Sequence, residues 1–101
     1  MKIKFVDEYL GVLAENKNIG KKKYPEEVQL GFRKRIAQIK QANGTQDLRA
    51  IKSLHLKKLK EQRYSGKYSI RINKAYRLIF MITKDERLEV IEVEEINNHY
   101  S

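Results

Sequence analysis

Apolar and polar positions change period several times along the chain, and each change marks an element. Lys2 to Val6 alternates charged and apolar side chains, as a short strand does, and Asp7 follows as an acceptor for the free amides that open a helix. The first helix is expected at about Glu8 to Asn16. The stretch from Asn16 through Gly20 to Lys21, Lys22 and Lys23 is polar and reads as a solvated loop, with a lesser claim to rRNA contact. Pro25 suits a first helical turn, where its missing N–H costs nothing, and Glu26 and Glu27 suit the positive end of the dipole. This second helix should run to about Ala42. With about 100° per residue, Val28, Phe32, Ile36 and Ile39 fall within an arc of about 80° and form a core-facing stripe. Leu30 and Ala37 lie almost opposite, as a second contact face for the first helix or a partner. Asn43-Gly44 is a stop signal, and Thr45 caps one short helical turn through Ile51.

The second half has the period of sheet. Residues 55–59 suit a short edge strand. Tyr68, Ile70 and Ile72 alternate with Lys67, Ser69, Arg71 and Asn73, so one strand face is dry and the other wet. Asn73-Lys74-Ala75 turns the chain into Tyr76 to Ile82, and Lys84-Asp85-Glu86 turns it again into Leu88 to Ile96. The expectation is an α+β fold: an N-terminal strand, then two helices packed on one face of a three- to four-stranded antiparallel sheet. Repeats, low-complexity segments and linkers are not apparent, and 101 residues suit a single domain.

Composition narrows the class. With 41% apolar residues a chain of this length buries roughly 65% of its unfolded surface, enough to fold without staples. The absence of Cys excludes disulfides, thiolate zinc sites and Cys nucleophiles, and it suits the cytoplasm. The two His and scattered carboxylates do not make a metal-site pattern, and no cofactor is expected. Charge arrives by Asp7 and Glu8, and the longest strongly apolar run is Leu78 to Ile82. A signal peptide or membrane span is therefore not expected, since these need at least ~7 and ~18 apolar residues.

The net charge of +9 points toward a polyanion, and its distribution is local. From Arg49 to Arg77 ten basic residues stand against one acid, Glu61, so this segment holds the entire excess. Its residues also carry a motif. Leu59-Lys60-Glu61-Gln62-Arg63, then Gly66-Lys67-Tyr68-Ser69-Ile70-Arg71-Ile72-Asn73-Lys74-Ala75-Tyr76-Arg77-Leu78-Ile79-Phe80, and finally Ile96-Asn97-Asn98-His99-Tyr100 resemble the HigB branch of the RelE/ParE toxin superfamily. In that branch a Leu-Lys-Gly-Asp-Arg/Lys-type segment precedes Gly-x-x-Ser-Ile-Arg-Ile/Val-Asn-x-x-Tyr/Trp-Arg, and the chain ends in a His-containing motif. This sequence departs from the pattern in Glu61-Gln62 for Gly-Asp, in a Tyr64-Ser65 insert, and in Asn97 where many relatives have Asp.

The resemblance implies a ribosome-dependent mRNA endoribonuclease, the toxin of a type II toxin-antitoxin module. Its partners would be a cognate HigA-like antitoxin, in a hetero-oligomer, together with the 70S ribosome and mRNA. Metal-independent cleavage by the ribose 2′-OH needs a base, cations for the phosphorane's charge, and an acid for the leaving oxygen. An unperturbed imidazole exchanges its proton near neutrality, so His99 suits acid or base work, and Tyr100 could stack on a base or pass a proton. Arg71 and Arg77 suit phosphate because a guanidinium stays charged and binds two oxygens; Lys60 and Arg63 could reach the same group. Lys57, Lys58, Lys67 and Lys74 suit the RNA backbone, singly also ordinary surface lysines. Tyr68 and Tyr76 read first as packing, and His55 as structural. Two other readings remain open on sequence alone: a non-catalytic inhibitor such as a ParE-like gyrase poison, and an RNA-binding module without turnover.

Overall fold

Local chemistry sets the element boundaries in the computed structural model, which describes residues 1–16, 20 and 22–98. Strand β1 (Lys2–Phe5) runs into Asp7, whose carboxylate accepts from the amides of Tyr9 and Leu10 and so opens α1 (Glu8–Ala14). The helix ends two residues short of Asn16, which takes a left-handed conformation with φ of 57°. Pro25 caps α2 (Glu26–Gln41), and its carbonyl accepts from Val28 and Gln29. The expected stripe of Val28, Phe32, Ile36 and Ile39 is buried, while Leu30 and Ala37 are exposed, so neither packs on α1. Gln29 is buried beside the stripe because its amide donates to the Tyr24 carbonyl. A short helix, α3 (Thr45–Ala50), and a 3₁₀ turn at Lys52–Leu54 lead to the sheet.

Four antiparallel strands follow: β2 (Lys57–Lys58), β3 (Tyr68–Arg71), β4 (Tyr76–Asp85) and β5 (Leu88–Asn98). The expectation of a three- to four-stranded antiparallel sheet needs one correction, because β1 joins as a fifth strand, parallel to β5, in the order β1-β5-β4-β3-β2. The physical reason is the length of β5: its eleven residues would otherwise leave a long unpaired edge.

The core lies between the helices and one sheet face. Leu10 and Leu13 of α1, the α2 stripe and Leu48 of α3 pack on Ile70, Leu78, Phe80, Ile91, Val93 and Ile96. Strict alternation cannot bring both Val93 and Ile96 to one face. A bulge resolves this: Phe80 pairs with Val93 and Ile79 with Glu95, leaving Glu94 as the extra residue. The opposite sheet face carries Ser69, Arg71, Arg77, Ile79 and Asn97, and of these Ser69, Arg77, Ile79 and Asn97 line a cleft with the loop between β2 and β3, with Arg71 next along the ladder.

Candidate active site

That loop folds back over the sheet. Leu59 donates its amide to the Lys67 carbonyl, Tyr64 donates to Glu61, and Lys67 donates to Tyr64, which closes a 3₁₀ turn at Gln62–Tyr64. Gly66 completes the return with φ of 81°, a conformation that side-chain-bearing residues rarely adopt. Between loop and sheet lies a cleft of about 410 Å³, lined by Lys57, Leu59, Glu61, Arg63, Tyr64, Ser69, Arg77, Ile79, Asn97 and Asn98. Leu59 and Ile79 are buried here, outside the main core.

Three polar atoms of this face lack hydrogen-bond partners. Arg71 and Arg77 occupy directly opposed positions of the β3–β4 ladder, so both side chains start from the same side of the sheet. Like charges placed opposite each other destabilise a ladder, and among the described residues neither arginine is ion-paired with a carboxylate. Arg71 Nε and Arg77 Nη1 are buried without a hydrogen-bond partner, and so is Ser69 Oγ, on a residue that is 0% exposed. Buried donors without acceptors are costly, and three on one face make a site suited to an anion. Arg35 of α2 fixes the geometry from the end of β3: its Nε donates to the Arg71 carbonyl at 2.8 Å and its Nη1 to Gln38.

The remaining cations divide by environment. Lys57 lines the cleft; Lys58 pairs with Tyr68 and so starts from the other sheet face. Arg63 lines the cleft with its guanidinium 4.8 Å from the Tyr64 ring centroid. Lys60 is exposed at the start of the loop, and Lys74 is exposed in the β3–β4 turn, where Asn73 Oδ1 accepts from Ala75 and Tyr76. Lys67 is paired with Glu94 of the bulge, which holds its ammonium above the ordinary range, chiefly by accepting its hydrogen bond. Its charge is already matched. Lys23 sits 4.6 Å from the Tyr9 ring centroid, away from the cleft lining. His55 is exposed in a left-handed conformation, φ 49°, after the 3₁₀ turn, and it does not line the cleft. Tyr68 stacks on Phe80 and Tyr76 meets Tyr24 edge-on, as packing residues. β5 ends at Asn98, a wall of the cleft, and His99 and Tyr100 lie outside the described residues.

A larger cleft, about 670 Å³, lies beside Thr45, Asp47, Arg49, Tyr68 and Glu89. Its acids are spoken for: Glu89 accepts from Thr45 and Asp47 from the Asn43 amide. The smaller cleft, with its unpartnered donors, is the stronger candidate.

The sequence as a whole matches one family. The model for the RelE-like toxin of the type II toxin-antitoxin system HigB matches residues 3–99. The chain belongs to that family. Among solved structures, the YoeB/ParE toxin from Agrobacterium tumefaciens shares the toxin's fold, with a TM-score of 0.53 at 15% identity over 99% of this chain and 100% of that one. No curated protein matches the toxin. Membership implies an antitoxin as partner. Among the toxin's described residues, no helix is long and apolar enough to cross a membrane.

Sequence reasoning missed two features of the toxin's cleft. Tyr64 and Asn97 were visible as departures from the family pattern, yet nothing in their spacing of 33 positions said that they touch: Asn97 Nδ2 donates to Tyr64 Oη at 3.2 Å. The Lys67–Glu94 pair depends on a bulge that the alternation of β5 hides.

Proposed function

We propose that the toxin is a ribosome-dependent mRNA endoribonuclease that acts in the cytoplasm and is neutralised by a HigA-like antitoxin. The observation that carries this reading is the opposed pair Arg71 and Arg77 with unpartnered buried N–H groups, on the face where Ser69 also lacks a partner. A phosphodiester supplies the oxygens these donors lack, and the dianionic phosphorane formed during cleavage supplies more charge. The 2′-OH attacks the adjacent phosphorus, the bond to the 5′ oxygen breaks, and the products are a 2′,3′-cyclic phosphate and a free 5′-OH. Arg71 and Arg77 neutralise the phosphorane. Lys57, Lys60 and Arg63 hold the RNA strand at the cleft mouth, with Lys58 and Lys74 on flanking backbone or rRNA. His99, with Tyr100, moves the protons.

Cleavage of translated mRNA by wild type, Arg77→Ala and His99→Ala tests the reading. Wild type should cut, and each variant should lose at least about a hundredfold in rate, as removal of one transition-state donor or proton carrier does. Full cutting by both variants would overturn the site. Growth arrest with intact mRNA and arrested gyrase would favour the ParE-like alternative, and strand binding without product would favour a binding module.

A further inference from the structure

The 3₁₀ turn at Gln62–Tyr64 does more than close the cleft. Tyr64 is pinned through its backbone in both directions, donating to Glu61 and accepting from Lys67, at 2.9 Å each. Its ring is half-buried beneath the Arg63 guanidinium, and its hydroxyl oxygen accepts the Asn97 amide hydrogen at 3.2 Å. Asn97 stands directly across the β4–β5 ladder from Arg77, whose Nη1 is unpartnered, and this bond anchors the hydroxyl in the cleft that Arg77 also lines. Because Asn97 is the donor, the Tyr64 hydroxyl keeps its own hydrogen free to donate elsewhere. Tyr64, Ser69 and Arg77 line the same cleft, and Ser69 Oγ is fully buried without a partner.

We propose that Tyr64 is a catalytic residue whose hydroxyl, oriented by Asn97, donates a hydrogen bond to a non-bridging oxygen of the scissile phosphate beside Arg77. This rests on the nuclease reading above and adds a neutral donor to its cationic pair. The arrangement makes chemical sense of the asparagine. An aspartate at position 97 could only accept, and it would draw the Tyr64 hydrogen to itself and away from the phosphate. Asn97 is a positioning residue in this scheme: it fixes the hydroxyl and leaves its hydrogen available. A donor fixed in place strengthens most as charge grows on the oxygen, so its contribution is larger in the transition state than in the bound substrate.

The test uses the full-length toxin in a translation reaction, together with binding of an uncleavable 2′-O-methyl oligoribonucleotide. Tyr64→Phe keeps the ring under Arg63 and removes only the hydroxyl; it should lower kcat about a hundredfold, the lower range for loss of one oxyanion donor. Oligonucleotide binding should weaken only about three- to tenfold, as for one neutral hydrogen bond. Asn97→Asp should also lose activity, and the Tyr64→Phe/Asn97→Asp double variant should be no slower than Asn97→Asp alone, because the aspartate has already taken the hydroxyl out of action. A merely structural tyrosine would instead give losses that add. Tyr64→Phe with wild-type kcat overturns the proposal. If wild type cuts nothing, the nuclease reading falls, and the oligonucleotide decides separately: weaker binding by Tyr64→Phe keeps the hydroxyl as a phosphate donor, and unchanged binding removes it. Should Tyr64→Phe unfold early in thermal denaturation, the comparison passes to Asn97→Asp and Asn97→Ser, which leave the turn intact; wild-type rates in both overturn the proposal.

Discussion

Arg71 and Arg77 start from directly opposed positions in the β3–β4 ladder, and each keeps a buried N–H without an acceptor. Two like charges so placed weaken the sheet, and an anion between them would remove that penalty. Arg77→Gln should therefore lose cleavage and yet unfold no more easily than wild type, gaining up to ~1 kcal/mol in urea titrations. Inorganic phosphate should raise the melting temperature of wild type more than that of the variant. A variant that is both inactive and clearly less stable, with an unchanged phosphate response, would show the guanidinium to be a structural member of the sheet.

The pairing of Lys67 with Glu94 separates this lysine from the cations that line the cleft. Lys67→Ala should barely change the salt dependence of RNA binding, whereas Lys57→Ala should reduce the slope of log affinity against log salt by about one. Glu94→Gln should tighten binding and steepen the slope by about one, because it frees the ammonium. Filter binding across a salt series distinguishes these outcomes. Equal slopes for Lys67→Ala and Lys57→Ala would mean that RNA displaces the carboxylate.

The elements themselves were legible because each rests on a local signal. Asp7 opened α1, Pro25 and the glutamates opened α2, and the alternation from Tyr68 to Ile72 marked the dry face of β3. The basic segment was legible too, while the tight hairpin through Asn73 is what sets Arg71 directly opposite Arg77. What depends on distant partners was not. The parallel docking of β1 on β5 joins opposite ends of the chain, and the Tyr64–Asn97 bond spans a loop whose path no periodicity encodes. The charge of the wet face was also overdrawn by composition, since Glu94 of β5 cancels Lys67 and only the bulge brings it there.

Gly31 sits inside α2, where glycine ordinarily costs ~1 kcal/mol relative to alanine. A Cβ at this position would lie 2.8 Å from Ile72 Cγ2, a branched and buried methyl that has little room to retreat. Overpacking of this kind costs ~1–3 kcal/mol and so outweighs the gain in propensity. Gly31→Ala should lower stability by ~1 kcal/mol in urea titrations. Because Ile72 follows Arg71, activity should fall as well. An alanine variant more stable than wild type would mean that α2 moves freely away from β3.

Glu89 provides the pH dependence. The α3 helix begins at Thr45, its N-cap Gly44 has no side chain to cap it, and the carboxylate of Glu89 reaches over from β5 instead. It accepts from the Thr45 amide at 2.8 Å and from the Thr45 hydroxyl at 2.9 Å. These two bonds, the backbone one first, hold its pKa below the ordinary value of 4.5. A depressed carboxylate pKa means that the folded state prefers the ionised form. The resulting stability is fully present above the unfolded-state value and fades as pH falls below it toward the folded-state value. Glu89→Gln should thus be less stable than wild type at neutral pH by ~1 kcal/mol, a charged hydrogen bond discounted for solvent screening. The gap between the two proteins should narrow as pH is lowered from ~5 to ~3. Urea unfolding of both across that range measures it, and a gap that stays constant would show that the ionised carboxylate is not what holds the start of α3.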